Sequence, residues 1–529
     1  MVHSIVSLSV SLFAYRALAE LGSPPEGTPP LAYGFYSSPE TLEPTELEIV
    51  GTIPHWLSGS LYRGAQAGWD AGNYTSGHWF DGFSRNHRFE IAGGKVTYRS
   101  RNASNEVTDF IRETGFFPGS SFGGDPCKAI FGEFEVTFRD GRNPVGDKST
   151  DSIAISYIKN FPGLDPNSTN FGPMITLVST TDAEGLQQID PVTLEPIEMF
   201  TYGASGIENG SARSSAHPAI GKNGEVYNYL LDDEGYRVFA IENGVGRVLA
   251  TITDAPAAYI HSLSSTEHYL ILIVWQADLK LEARNLVDQI APWDPDRDAL
   301  FYIIPKAKGG VIAKYTAPTF FAFHETNSFE TDNDIVIDLP VYDNAEWLNA
   351  TRMPYLRDNV GRQNKSQDFD ISGRHRRFRL KDYLHQNQTS GNGTLPSKEA
   401  TVDFTMPLEA NIELPKINDV YHGRPYRYVY GEHSSKPGFF TDSIIKIDTI
   451  SQDFMVWVPE TNHVPSEPMF VARSGSSSED DGVLLVVALD EATKLSSLIV
   501  LDAKEMVEIG RARLPVVVGY GFHGIWGGA

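Results

Sequence analysis

The chain of 529 residues has one cysteine, Cys127. That excludes an intramolecular disulfide, a CxxC redox pair and a multi-cysteine zinc site. Positive charge is also short, with 43 Lys and Arg against 68 Asp and Glu and a formal net charge of −25. A body this acidic repels phosphate backbones, so nucleic acid is excluded as the main partner. No apolar run reaches the ~18 residues of an ordinary membrane-spanning helix, and long amphipathic helical periodicity is scarce. Turn formers are plentiful instead: 47 Gly and 32 Pro cut the sequence into short segments. With 41% hydrophobic and 21% charged residues, the composition is that of a folded globular protein.

Residues 1–20 resemble a secretory signal, with an apolar stretch from Ile5 to Tyr15 before a small-residue site at Ala17-Leu18-Ala19. The start lacks Lys or Arg, and Arg16 interrupts the approach to that site. N-x-S/T sequons occur at Asn73, Asn102, Asn167, Asn209, Asn349, Asn364, Asn387 and Asn392. Together these features make secretion the alternative to a cytoplasmic, peripherally membrane-associated protein. Residues 21–46, opening with GSPPEGTPP, read as an extended arm, because proline disfavours helix and strand alike. From residue 47 to 529 the chain reads as one domain.

Within that domain an apolar run, a polar turn and a second apolar run recur. They span Leu186–Phe200, Leu300–Tyr315, Ile444–Val458 and Leu498–Leu514. Hairpins in this number predict an all-β sandwich or propeller. His385–Lys398 is polar throughout and reads as a surface loop.

Gly119-Ser120-Ser121-Phe122-Gly123 matches the G-x-S-x-G of serine hydrolases, but that motif needs a strand before it and a helix after it. Pro118 precedes it and Gly124-Asp125-Pro126 follows, so Ser121 is not read as a nucleophile. The histidines say more. Ten of the fourteen lie in polar or turn-rich surroundings and receive no role. His217 (SSAHPAI), His261 (AAYIHSLS), His324 (FFAFHETN) and His523 (GYGFHGIW) stand among small and apolar residues. Their wide separations exclude one local metal motif. They suit ligands converging from different strands on the axis of a closed propeller.

These contexts resemble those of the carotenoid cleavage oxygenases. Gly59-Ser60-Leu61-Tyr62-Arg63, Trp79-Phe80-Asp81-Gly82, Ala216-His217-Pro218, Val226-Tyr227-Asn228, His324-x-x-Asn327 and Phe522-His523-Gly524 fall in that family's order. Asp125-Pro126-Cys127-Lys128 is similar to its animal branch of β-carotene oxygenases and retinal pigment epithelium isomerohydrolase. The likeness covers residues 47 to 527. It implies a seven-bladed β-propeller with one Fe(II) per subunit on four histidines: His217, His261, His324 and His523. It implies O2-dependent cleavage of a C=C bond in a carotenoid or apocarotenoid, giving two carbonyl products, typically aldehydes. Stilbene cleavage on the same iron site, non-oxidative retinyl-ester isomerisation and a secreted, non-catalytic binding propeller are the alternatives.

The resemblance also implies carboxylates behind three of the histidines: Glu413 for His324, Glu467 for His523, and Asp182 for His261. Asp182 stands where the family often has glutamate. One methylene shorter, it leaves open a direct bond, a water bridge or none. A cluster of phenylalanines from Phe110 to Phe138 includes Phe116 and Phe117, set beside Pro118-Gly119. They are expected to be exposed, forming an entry lip on a membrane or lipid-droplet surface.

Overall fold

The computed structural model describes residues 24–119, 121–125, 127, 144–165, 174–207, 212–280, 282–361, 372–385, 395–436 and 440–528. The signal-like stretch, Phe131, Phe134, Phe138 and five of the eight sequons (Asn167, Asn209, Asn364, Asn387 and Asn392) lie outside them.

Among the described residues seven sheets of four to six strands form the blades of a propeller, antiparallel except where Ser397–Glu399 pairs parallel with Ala313–Ala317, and Asp70–Ala71 with Tyr74–Thr75 makes a separate two-stranded ribbon. Each of the four expected hairpins is an antiparallel pair. Blades packed face to face in a ring need middle strands that are apolar on both sides. Ile335–Val341 and Gly482–Asp490 are accordingly buried at every position. Outer strands such as Phe454–Trp457 face solvent over much of their length.

Several hairpin turns share one device. The carboxylates of Asp190, Asp448 and Asp502 each accept two backbone N–H groups from the residues two and three positions on. The fourth residue on, Leu194, Gln452 or Met506, then takes a positive φ of 64°, 63° or 54°. The Asx geometry sets the turn without glycine.

The ring is closed twice. Gly524–Gly528 is the edge strand of the first blade, paired with Gly59–Gly68. Conversely, Glu48–Gly51 pairs with Val507–Arg513 in the last blade. The glycines of GYGFHG permit this closure. A Cβ on Gly519, Gly521 or Gly524 would lie 2.0, 2.1 or 2.6 Å from the carbonyl oxygen of Gln66, Gly64 or Tyr62. The segment before His523 therefore lies flat against the first blade.

The expected extended arm is packed from Pro30 onward. Phe35 is buried between Trp69, Trp79, Phe440 and Tyr520, and Tyr520 donates its hydroxyl to the Leu31 carbonyl at 2.5 Å. Aromatic burial outweighs the extended preference of the prolines that precede it.

Candidate metal centre

The four histidines meet on the propeller axis, with one ligating nitrogen from each lying within 4.8 Å of the others. They come from different blades. Each precedes or interrupts an inner edge strand: His217 lies between Arg213–Ser214 and Ala219–Ile220, His261 before Ser264–Ser265, His324 before Asn327–Glu330 and His523 before Gly524–Gly528. Hydroxyl-to-carbonyl bonds link the segments around the axis. Thr180 donates to the Ala216 carbonyl at 2.6 Å, Ser215 to that of His261 at 2.8 Å, and Ser262 to that of Phe323 at 2.7 Å. The serines flanking His217 and His261 were the sequence signal for these links, visible but unread.

Each expected carboxylate reaches its histidine directly. Nδ1 of His261 is 2.7 Å from Asp182 Oδ1, Nδ1 of His324 is 2.6 Å from Glu413 Oε2, and Nδ1 of His523 is 2.7 Å from Glu467 Oε1. Asp182 bonds without water because its loop is drawn inward. Its carbonyl accepts the Ser214 N–H at 3.3 Å, and Ala183 is bridged to Arg213.

The acids are themselves held. Tyr259 donates to Asp182 at 3.1 Å and Tyr342 to Glu413 at 2.7 Å. The N–H of Leu414 turns back onto Glu413 at 2.7 Å, with Leu414 in the left-handed region at φ 48°. For a branched residue before proline that is strained backbone, stored where a functional side chain must be aimed. Glu467, fully buried, accepts from the Gly524 N–H at 2.8 Å and pairs with Lys416 at 3.1 Å and Arg63 at 3.8 Å. Sequence reading singled out Arg63 only as part of a motif and missed Lys416, Tyr259 and Tyr342, whose roles depend on tertiary approach.

With Nδ1 donating to a carboxylate, Nε2 keeps its lone pair for a metal. The Nε2 of His217 is buried without a hydrogen-bond partner. Burial first, and the neighbouring histidines with it, holds His217 and His523 well below the usual imidazole range, hence neutral. Four imidazole nitrogens backed by three acids fit a divalent cation that accepts imidazole ligands.

His261, His324 and His523 form part of the wall of an apolar cavity. Trp79, Phe80, Phe323, Trp347, Phe440 and Phe522 line it with them. Asp81 fixes this aromatic wall from behind, since its carboxylate accepts the N–H groups of Phe122 and Gly123 and Phe122 stacks edge-on against Phe80. His433, given no role from sequence, also lines the cavity. Ser121 does not act as a nucleophile's hydroxyl would: its Oγ accepts the Gly124 N–H at 3.0 Å in a local turn.

The exposure expected of Phe116 and Phe117 is corrected by the fold. Phe116 is 9% exposed and packs with Tyr74, Phe83, Val107 and Phe110, while Phe117 is half-buried and stacks on Tyr74. The helix Asn105–Thr114 supplies an apolar face that the sequence around Pro118-Gly119 did not reveal.

A family profile described as "Retinal pigment epithelial membrane protein" matches residues 35–527. The chain belongs to this family, the carotenoid cleavage oxygenases. Within the family it is 31% identical to a carotenoid dioxygenase of Neurospora crassa, covering 91% of this chain and 88% of the relative. It is 29% identical to a torulene dioxygenase of Gibberella fujikuroi, covering 91% of each. Among solved structures, a glutamate-to-glutamine mutant of Synechocystis apocarotenoid oxygenase superposes with a TM-score of 0.73 at 22% identity, over 96% of this chain and 100% of that one. A cobalt-substituted form of the Synechocystis enzyme gives 0.69 at 21% identity, over 94% and 98%. These structures share the propeller of the carotenoid cleavage oxygenases.

Proposed function

We propose that the protein is a non-haem Fe(II) dioxygenase that cleaves a C=C bond of a carotenoid or apocarotenoid with O2, giving two carbonyl products. The observation that carries this reading is the convergence of four histidines beside an aromatic cavity that three of them line. The curated relatives named as carotenoid and torulene dioxygenases support the substrate class.

His217, His261, His324 and His523 would hold the metal, which when bound supplies activation of O2 without an external reductant. The protein's own contribution is positional. Asp182, Glu413 and Glu467 fix the imidazole tautomers and balance the cation's charge one bond away. Trp79, Phe80, Phe323, Trp347 and Phe522 offer flat apolar surfaces to a polyene and exclude water from it. No acid or base is needed at the scissile bond, because both oxygen atoms of O2 end in the two carbonyls.

Such a substrate has almost no solubility in water, which supports action at a membrane or lipid-droplet surface. No helix of the described residues is long and apolar enough to cross a bilayer. Contact would therefore be peripheral, and Phe116 and Phe117 do not supply it from their packed positions. Liposome flotation of the intact chain tests this part separately. Protein remaining wholly at the bottom of the gradient would refute it.

The catalytic reading is tested by loading the protein with Fe(II) and incubating it with a carotenoid panel under 18O2. Paired aldehydes, each carrying one labelled oxygen before exchange, are expected by mass spectrometry. An iron-loaded protein that yields none from any member of the panel would overturn it.

A further inference from the structure

Glu432 stands directly opposite Glu413 in the antiparallel pair of Glu413–Lys416 and Tyr428–His433. Residues so paired project to the same face, with Cβ atoms about 4.5–5.5 Å apart. Glu413 is fully engaged by His324, Tyr342 and Leu414. Glu432 carries the same group into the wall of the same cavity, half-buried. Yet among the described residues its carboxyl has no hydrogen bond and no ion pair.

The nearby cations are committed elsewhere. Arg63 donates to the carbonyls of Glu467 and Phe522 and faces the Glu467 carboxylate, and Lys416 pairs with Glu467. Burial, opposed by Arg63 and reinforced by Glu467 and Glu413, lifts Glu432 well above the usual carboxylate range. The shift favours the protonated carboxyl, which offers one O–H donor and one carbonyl acceptor into the cavity.

Other polar groups of this wall have partners. The Asn411 amide bonds the Leu408 and Ser434 carbonyls, Ser434 bonds the Lys436 carbonyl, and Thr441 bonds the His433 carbonyl. A hydrocarbon polyene seated here would cover Glu432 and leave its O–H unsatisfied. A polyene carrying an oxygen would satisfy it.

We propose that Glu432 is a specificity residue that hydrogen-bonds an oxygen atom on the substrate, so that the cavity selects an oxygenated polyene over a hydrocarbon one. The proposal rests on the oxygenase reading above and narrows its substrate class. Aldehyde and hydroxyl oxygens share the required chemistry, since either accepts a hydrogen bond.

The test uses the full iron-loaded chain with three probes of similar polyene length in one detergent: a hydrocarbon carotenoid, an apocarotenal and a hydroxylated carotenoid. The parent should show a higher kcat/KM for at least one oxygenated probe than for the hydrocarbon. Glu432→Leu should reduce that ratio about 10–100-fold, the range over which a site with a lost polar contact discriminates less. Glu432→Gln keeps an N–H donor and a carbonyl of similar shape, and should retain most of the preference. Anaerobic quenching of Trp79 and Trp347 fluorescence gives the matching ratio of Kd values, independent of turnover. Glu432→Ala replaces the leucine variant if that variant does not fold.

A parent that favours the hydrocarbon, or a leucine variant with the parent's ratio, would overturn the proposal. A parent that binds the probes with the expected preference but cleaves none of them would instead overturn the oxygenase reading and leave this one standing.

Discussion

The Nε2 atoms of His324 and His523 face each other across 3.0 Å. With Nδ1 of each ring set against a carboxylate, the neutral form of both rings would present Nε2 lone pairs, and two lone pairs at this distance repel. A cation between the rings converts the repulsion into two ligand bonds. Metal loading is therefore expected to stabilise the fold as well as activate it. At free metal 100-fold above Kd the gain should be about 2.7 kcal/mol. Thermal melts of Fe(II)-loaded and chelator-stripped protein measure it, and identical melting temperatures would show that the centre is formed without a metal.

Asp81 gives the aromatic wall a pH dependence. Burial raises its carboxyl from the ordinary 3.8 to about 6, against the lowering effect of the Gly123 and Phe122 N–H groups. Between those values the folded state holds a proton that the unfolded state has released. The associated stability is present in full below about pH 4 and is lost as pH rises through 6, a change on the order of 3 kcal/mol. Asp81→Asn removes the titration. The difference in unfolding free energy between parent and variant should then drift across pH 4 to 6. A flat difference over that window would mean that Asp81 has an ordinary acidity in the fold.

Much of this protein was readable from its residues, and the reasons differ by feature. Hairpins were legible because turn residues and apolar runs act locally. The ligand set was legible because each histidine lies in a short motif, and three of its supporting acids were placed by family resemblance. Lys416 and Tyr342 were not, because what matters for them is which distant strand passes nearby. Phe116 shows the opposite error: a proline and a glycine beside it signalled a loop, but not the helix Asn105–Thr114 that covers that loop. The arm from Pro30 was misread for the same reason, since Phe35 owes its burial to Trp69, Trp79 and Tyr520 rather than to its neighbours in sequence.

Ring closure makes a strong prediction about Gly521. An alanine Cβ there would lie 2.1 Å from the Gly64 carbonyl oxygen and 2.5 Å from Ala65 Cα, both backbone atoms that cannot step aside. Gly521→Ala should therefore cost more than about 4 kcal/mol, in the exceptional tail of single substitutions. Gly528→Ala, with nothing within 4 Å of the added carbon, is the control and should stay within about 0.5 kcal/mol. Urea unfolding of the two variants decides it. Equal midpoints would show that the closing strand can shift to make room.

The two glutamates behind the metal-site histidines should separate in their effects. Glu413 is supported by neutral donors, Tyr342 and the Leu414 N–H, and by His324. Its replacement by glutamine keeps the shape and removes only the charge that orients His324. Metal affinity should fall about 10–100-fold, with little change in the stability of the metal-free protein. Glu467 differs because it faces Arg63, whose side chain is 2% exposed, and Lys416 at 29%. Glu467→Gln would lower metal affinity in the same way and would also leave the buried guanidinium without its counter-charge. Breaking a buried pair from one side costs about 3–5 kcal/mol, although the carbonyls of Glu467 and Phe522 would still hold Arg63 and favour the low end. Melts of the chelator-stripped variants should thus show Glu467→Gln well below Glu413→Gln, with metal binding weakened in both. If the two metal-free variants melt together, Arg63 is balanced by other charges, and Glu467 serves only to orient His523.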